Sequence, residues 1–196
     1  MHTTVPGTRW IARAVAASMT LLIGIAADAA NVRYMNLRDL VARADRIVRG
    51  TVIGSEEGTV SVGGGTLPIV TYRIRVDDAL KGSAGAGDTI EVSLLGQKKQ
   101  AARGPIRNLT LARDLPQFTV GRDYLFILTR PSQIGLSTTV GLGQGLFQLR
   151  GRPGAELAVN EANNLGLFSG MPSAPQAAGP ISYVELAKQI NTLVGR

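Results

Sequence analysis

Residues 71–82 read TYRIRVDDALKG, and their alternation limits the fold more than any other feature of the chain. Tyr72, Ile74 and Val76 fall on one side of an extended backbone, and Arg73 and Arg75 on the other. A period of two suits a half-buried strand and does not suit a helix. The pattern recurs in RIVRGTVIG, where Val48, Gly50 and Val52 share a face, and in TIEVSLLG, where Ile90, Val92 and Leu94 do. DYLFILT is apolar without a break from Tyr124 to Leu128, as in a strand buried on both faces. Val60 and Val62 lead into Gly63-Gly64-Gly65, and Leu67, Ile69 and Val70 follow, which predicts a hairpin, or at least a flexible loop between strands. Gly82 to Gly87 is a second glycine-rich turn. Strand-like alternation continues from Leu136 to Leu149, Gly151 to Gly154 mark a turn, and Leu157 to Val159 are extended again. Six to eight short strands with no strand–helix–strand alternation argue against a nucleotide-binding parallel sheet. They predict a mainly β fold, a small closed antiparallel barrel with a helix at each end.

Asn36 can cap the first helix, which runs through Ala44, with Asp39 as its reciprocal partner. Leu37, Leu40, Val41 and Ala44 fall on one face of it. Residues 169–180, SGMPSAPQAAGP, read as a linker with nothing to bury. Residues 181–196 then form the C-terminal helix, with Ser182 and Glu185 as a capping box. Its stripe of Tyr183, Leu186, Ala187, Ile190, Leu193 and Val194 is expected to dock on the protein's own body.

The first thirty residues read as an export signal. Arg9 and Arg13 form a basic start, Ala14 to Ala27 an apolar core, and Ala27-Asp28-Ala29 a small-x-small cleavage pattern. The apolar run is too short to span a bilayer comfortably, so cleavage is expected after Ala29 or Ala30. The expected organisation is 1–30 signal peptide, 31–168 barrel domain, 169–180 linker and 181–196 helix. The expected location is the periplasm or outside the cell, with no membrane span after cleavage.

Removing that segment narrows the available chemistry. His2 is the single histidine and Trp10 the single tryptophan, and the chain has no cysteine. The mature chain of roughly 165 residues therefore lacks His, Cys and Trp. It can build no Ser-His-Asp triad, no Cys nucleophile, no disulfide and no His- or Cys-ligated metal from its own side chains. No metal and no cofactor is expected. Its 19 basic and 13 acidic residues favour anionic partners at long range without specifying one.

Three stretches bear on function. GLGQGLFQL, residues 141–149, resembles a phosphate loop at first sight, but Leu146 stands where a dinucleotide fingerprint needs its third glycine. No Lys-Ser or Lys-Thr follows the last glycine, and a turn follows where a helix is required. The stretch instead reads as a strand with one bare face, where a barrel bends or packs closely. Asp77-Asp78 points to opposite faces of a strand, poorly placed for shared acid–base work, and reads as a strand end leading into an Ala79-Leu80-Lys81-Gly82 turn. Residues 97–113, QKKQAARGPIRNLTLAR, carry Lys98, Lys99, Arg103, Arg107 and Arg113 and no acid. A connection of that length is expected to be functional or solvated, and these five residues are the candidate binding set. No aromatic interleaves them to stack bases, so nucleic acid is not the expected partner.

ADRIVRGTV, TYRIRVDDALKG and GRDYLFIL together resemble the netrin-like modules of tissue inhibitors of metalloproteinases, which are OB-fold barrels. They are more similar still to a group of exported bacterial proteins of unknown function that share the GLGQGLF stretch and a C-terminal helix. The resemblance covers Leu37 to Leu149. It implies an OB-like barrel and a protein partner, such as an exported protease. Those inhibitors chelate the protease zinc through an N-terminal Cys, and this chain has none, so that mechanism does not carry over. The expected function is a secreted, non-catalytic binding module. The alternatives are an envelope protein that binds polyanions through the same loop, or a hydrolase using carboxylates or a Ser-Lys pair.

Overall fold

The alternating segments are strands and the fold is mainly β, as the sequence predicts, but the first two strands run to 17 residues each where short ones are expected. The computed structural model describes residues 34–96, 115–171 and 178–195. Helix α1 (Leu37–Arg43) precedes strands β1 (Arg46–Val62), β2 (Gly65–Lys81), β3 (Thr89–Leu95), β4 (Asp123–Leu128), β5 (Leu146–Arg150), β6 (Leu157–Val159) and β7 (Ile181–Ser182), and helix α2 (Tyr183–Val194) follows. The strands form one antiparallel sheet in the order β3-β2-β1-β4-β5-β6-β7.

β1 and β2 are a single long hairpin, in register from Ile47–Lys81 to Val62–Gly65. Gly63 and Gly64 turn it with φ of 57° and 82°, the left-handed conformation that a tight two-residue turn requires. Three register shifts, between Ile47/Val48, Arg49/Gly50 and Val52/Gly54, bend β1. Its lower part, Arg46 to Thr51, pairs with β4 while its upper part runs on with β2. Among the described residues the ladders do not close a barrel. Two isolated bridges, Ser93–Leu136 and Leu128–Thr139, connect the outer edge of β3 to β4 through residues 136–139.

The sheet buries both faces. On its inner side lie Tyr72, Ile74, Val76, Val92, Phe126 and Leu128, among others. There the Phe118 ring sits 4.7 Å from Tyr72 and 5.0 Å from Phe126. On the outer side Ile47, Leu125, Ile127 and Phe147 pack against α1 through Leu37 and Leu40 and against α2 through Leu186 and Ile190. β4 contributes to both cores, Tyr124, Phe126 and Leu128 inward and Leu125 and Ile127 outward, as its unbroken apolar run predicts. The C-terminal stripe docks on the protein's own body as expected. Asn36 caps α1, its Oδ1 accepting from the Asp39 N–H at 2.9 Å. Lys81 secures the other end of α1, its ammonium donating to the carbonyls of Val41 at 2.9 Å and Ala44 at 2.7 Å.

Four local expectations are corrected. Residues 136–145 are not a strand: Leu136 and Thr139 make only isolated bridges, Gly141 is left-handed at φ 64°, and Leu142–Gly145 form a 3₁₀ turn that delivers the chain to β5. A Cβ on Gly145 would collide with the carbonyl oxygen of Val140, so the glycine serves backbone approach, as inferred, but in a turn. Ser182 makes no side-chain cap bond to α2; it pairs with Leu157 in β7, and the Tyr183 N–H donates to the Glu156 carbonyl at 2.9 Å. Ala79, Leu80 and Lys81 belong to β2 and not to a turn. The 169–180 segment does bury a side chain, since Met171 joins the outer core, and its Gly179 donates to the Asn163 carbonyl at 2.8 Å.

Candidate functional site

The candidate binding residues Lys98, Lys99, Arg103, Arg107 and Arg113 all lie in 97–114, outside the described residues. Asp77 and Asp78 do point apart. Asp77 accepts from Arg75 Nε at 3.3 Å, while Asp78 accepts from the Tyr183 hydroxyl at 3.0 Å on the helix-covered side. Among the described residues no group of three or more His, Cys, Asp or Glu is arranged to hold a metal ion.

The far end of the β1–β2 hairpin presents apolar side chains to solvent. Val60 stands opposite Leu67, and Gly58 opposite Ile69, which in turn pairs with Leu95 of β3. By alternation these side chains share the face opposite Val70 and Tyr72, so they point away from the inner core. Val62 is 40% exposed and Leu67 37%, while Val60 and Ile69 are half-buried beside them. Branched apolar groups on a projecting strand pair are unusual where no partner covers them, because their exposure gains nothing for the monomer.

A second feature is a buried charged cluster that fastens α2. Arg49 Nη2 donates to Glu156 Oε1 at 2.7 Å, and its guanidinium lies 4.8 Å from the centre of the Tyr183 ring. Glu156 Oε2 accepts from the Gly154 N–H at 2.9 Å. Burial would raise the Glu156 pKa, but these N–H groups and the Arg49 charge more than offset it, and the carboxyl titrates below its ordinary value. Burial likewise opposes the Arg49 charge, and Glu156 outweighs it, so the guanidinium is held more firmly protonated. Burial, followed by the Asp78 carboxylate, pushes the Tyr183 phenol well up. Arg49, Glu156 and Tyr183 are each shifted away from neutrality, and the cluster reads as a clamp.

The third feature is a cleft of about 330 Å³ at the rim of the inner core. Tyr124, Leu146 and Val159 line it together with the polar side chains of Gln148, Arg150 and Glu161. Sequence reasoning missed it, because its walls come from β4, β5 and the turn after β6, and no local spacing brings them together. No protein-family model and no curated protein matches this chain.

Proposed function

We propose that the chain is an exported, non-catalytic binding module whose partner is another exported protein, a protease being one candidate. The observation that carries this reading is the outward apolar row on the β1–β2 hairpin, Val60, Val62, Leu67 and Ile69, on strands whose other face closes the inner core. Such a row supplies the dehydrated centre that a protein interface needs. The N-terminal segment, read as a signal, supports export, and the basic set Lys98, Lys99, Arg103, Arg107 and Arg113 supports a second, charged contact. The netrin-like resemblance points the same way.

Capture from the native secretome with the mature chain tests the reading. The Val62→Asp/Leu67→Asp double variant is expected to lose its partner at least tenfold, since buried anchor residues contribute about 1–2 kcal/mol each. Both positions are exposed, so the variant should keep the wild-type melting temperature. Retention of the same partners by this variant overturns the hairpin as the contact surface. Loss of capture on replacing the five basic residues by alanine, with the hairpin intact, would assign the contact to residues 97–113.

A further inference from the structure

We propose that the cleft at the rim of the inner core binds a single neutral sugar ring. Its volume of about 330 Å³ lies at the small end of ligand pockets and holds the share of about eleven waters, room for one hexose with bridging water beside it. Leu146 and Val159 give it an apolar floor, and the Tyr124 ring stands beside them. A pyranose offers the matching surface, a ring of C–H groups rimmed by hydroxyls.

The polar groups are set by bonds of their own. The Tyr124 hydroxyl accepts from the Thr119 N–H at 3.3 Å, which leaves its own proton to donate. Gln148 Oε1 accepts from Arg150 Nε at 2.9 Å and also from its Nη2. The amide oxygen is thereby engaged, and the Gln148 NH₂ is the group left to donate. Glu161 adds an acceptor. Its side chain lies against Gly143, where any Cβ would strike the carboxylate, so the 3₁₀ turn of GLGQG is what makes room for it. The adjoining backbone is fixed as well: Asn160 donates to the Gln144 carbonyl at 2.9 Å, and Asn160 and Asn164 exchange two bonds at 3.0 and 2.8 Å.

The charge balance selects the ligand. Arg150 and Glu161 cancel, so a polyanion finds no excess positive field. A zwitterion such as a peptide terminus needs a bidentate fork for its carboxylate. The Nε–Nη2 edge of Arg150 already faces Gln148. Hydroxyl groups, which both donate and accept, satisfy an amide NH₂, a phenol proton and a carboxylate at once.

Amide-resolved NMR titration of the mature chain tests this with glucose, galactose, mannose and N-acetylglucosamine, and with glycylglycine and inorganic phosphate as the contrasting probes. At least one sugar is expected to shift the backbone amides of Gln148, Asn160 and Glu161 with a Kd of about 1 mM, a modest affinity for one small ring. Glu161→Gln and Gln148→Leu should each weaken it at least fivefold without moving the melting temperature, Glu161 being solvent-exposed. Four outcomes overturn the proposal: no sugar shifts these amides at tens of millimolar, glycylglycine or phosphate shifts them as strongly, the shifts fall elsewhere, or both variants bind as the wild type does. Partner capture through the hairpin is independent of every one of them.

Discussion

Arg49→Ala is expected to lower the unfolding free energy by about 3 kcal/mol, because it strands a buried carboxylate without its partner. For a domain of this size that is a fall in melting temperature of roughly 6–12 °C. The Glu156 carboxyl is 8% exposed and the Arg49 side chain 24%, so removal of the arginine leaves the more buried partner unpaired. Acid exposes the same pair. The folded-state pKa of Glu156 lies below its ordinary value of 4.5, so its contribution is fully present above that value. It fades as the pH falls from there through the lowered folded value. Urea melts between pH 7 and pH 3 should show the wild type losing stability below about pH 4.5. Glu156 in Arg49→Ala should lose the arginine's share of the downward pull on its pKa while the backbone N–H bonds keep theirs, so the variant's acid slope should be shallower. Equal slopes in both proteins would show that the clamp contributes nothing.

Phe126→Ala is expected to cost about 4 kcal/mol, the middle of the range for a fully buried aromatic. Phe126 is 0% exposed and meets Phe118 edge-on with ring centroids 5.0 Å apart. Phe118 in turn meets Tyr72 at a tilt of 49°. The void cannot collapse easily, because β4 is pinned by β1 on one side and β5 on the other. The urea midpoint should drop while the slope of the transition stays unchanged, as for a cavity that leaves the unfolded chain untouched. A loss below about 1 kcal/mol would mean that the inner core repacks freely.

The strands were legible because each alternating residue records its own burial. Tyr72, Ile74 and Val76 turn inward, Arg73 and Arg75 outward, and β4 is apolar on both sides because both sides are covered. The 141–145 stretch was misread for the opposite reason. Glycine has no side chain to be in or out, so its period of two carried no information about a face. What fixes Gly145 is the backbone of Val140 and Ile127, which no pattern within the stretch reveals. Ser182 has the composition of a cap, but the pairing of β7 with β6 decides its place. Arg49 and Glu156 lie 107 positions apart, and each alone looks like an ordinary surface charge. The same holds for the cleft, where Gln148, Arg150 and Glu161 become a site through the meeting of β5 with the turn beyond β6. The hairpin was predicted, but its solvent-facing apolar row was not singled out, since Val60 and Leu67 read equally well as core.

β4 is the shared wall of two apolar compartments. Neither can open while the other stays intact, since exposing Leu125 and Ile127 on one side loosens the strand that carries Phe126 and Leu128 on the other. The domain should therefore unfold as one cooperative unit, without a half-melted state in which α2 has left and the inner compartment survives. Amide hydrogen exchange reads this directly. The N–H groups of Leu125 to Leu128 should exchange last, at rates set by global unfolding, and the hairpin tip around Gly63 first.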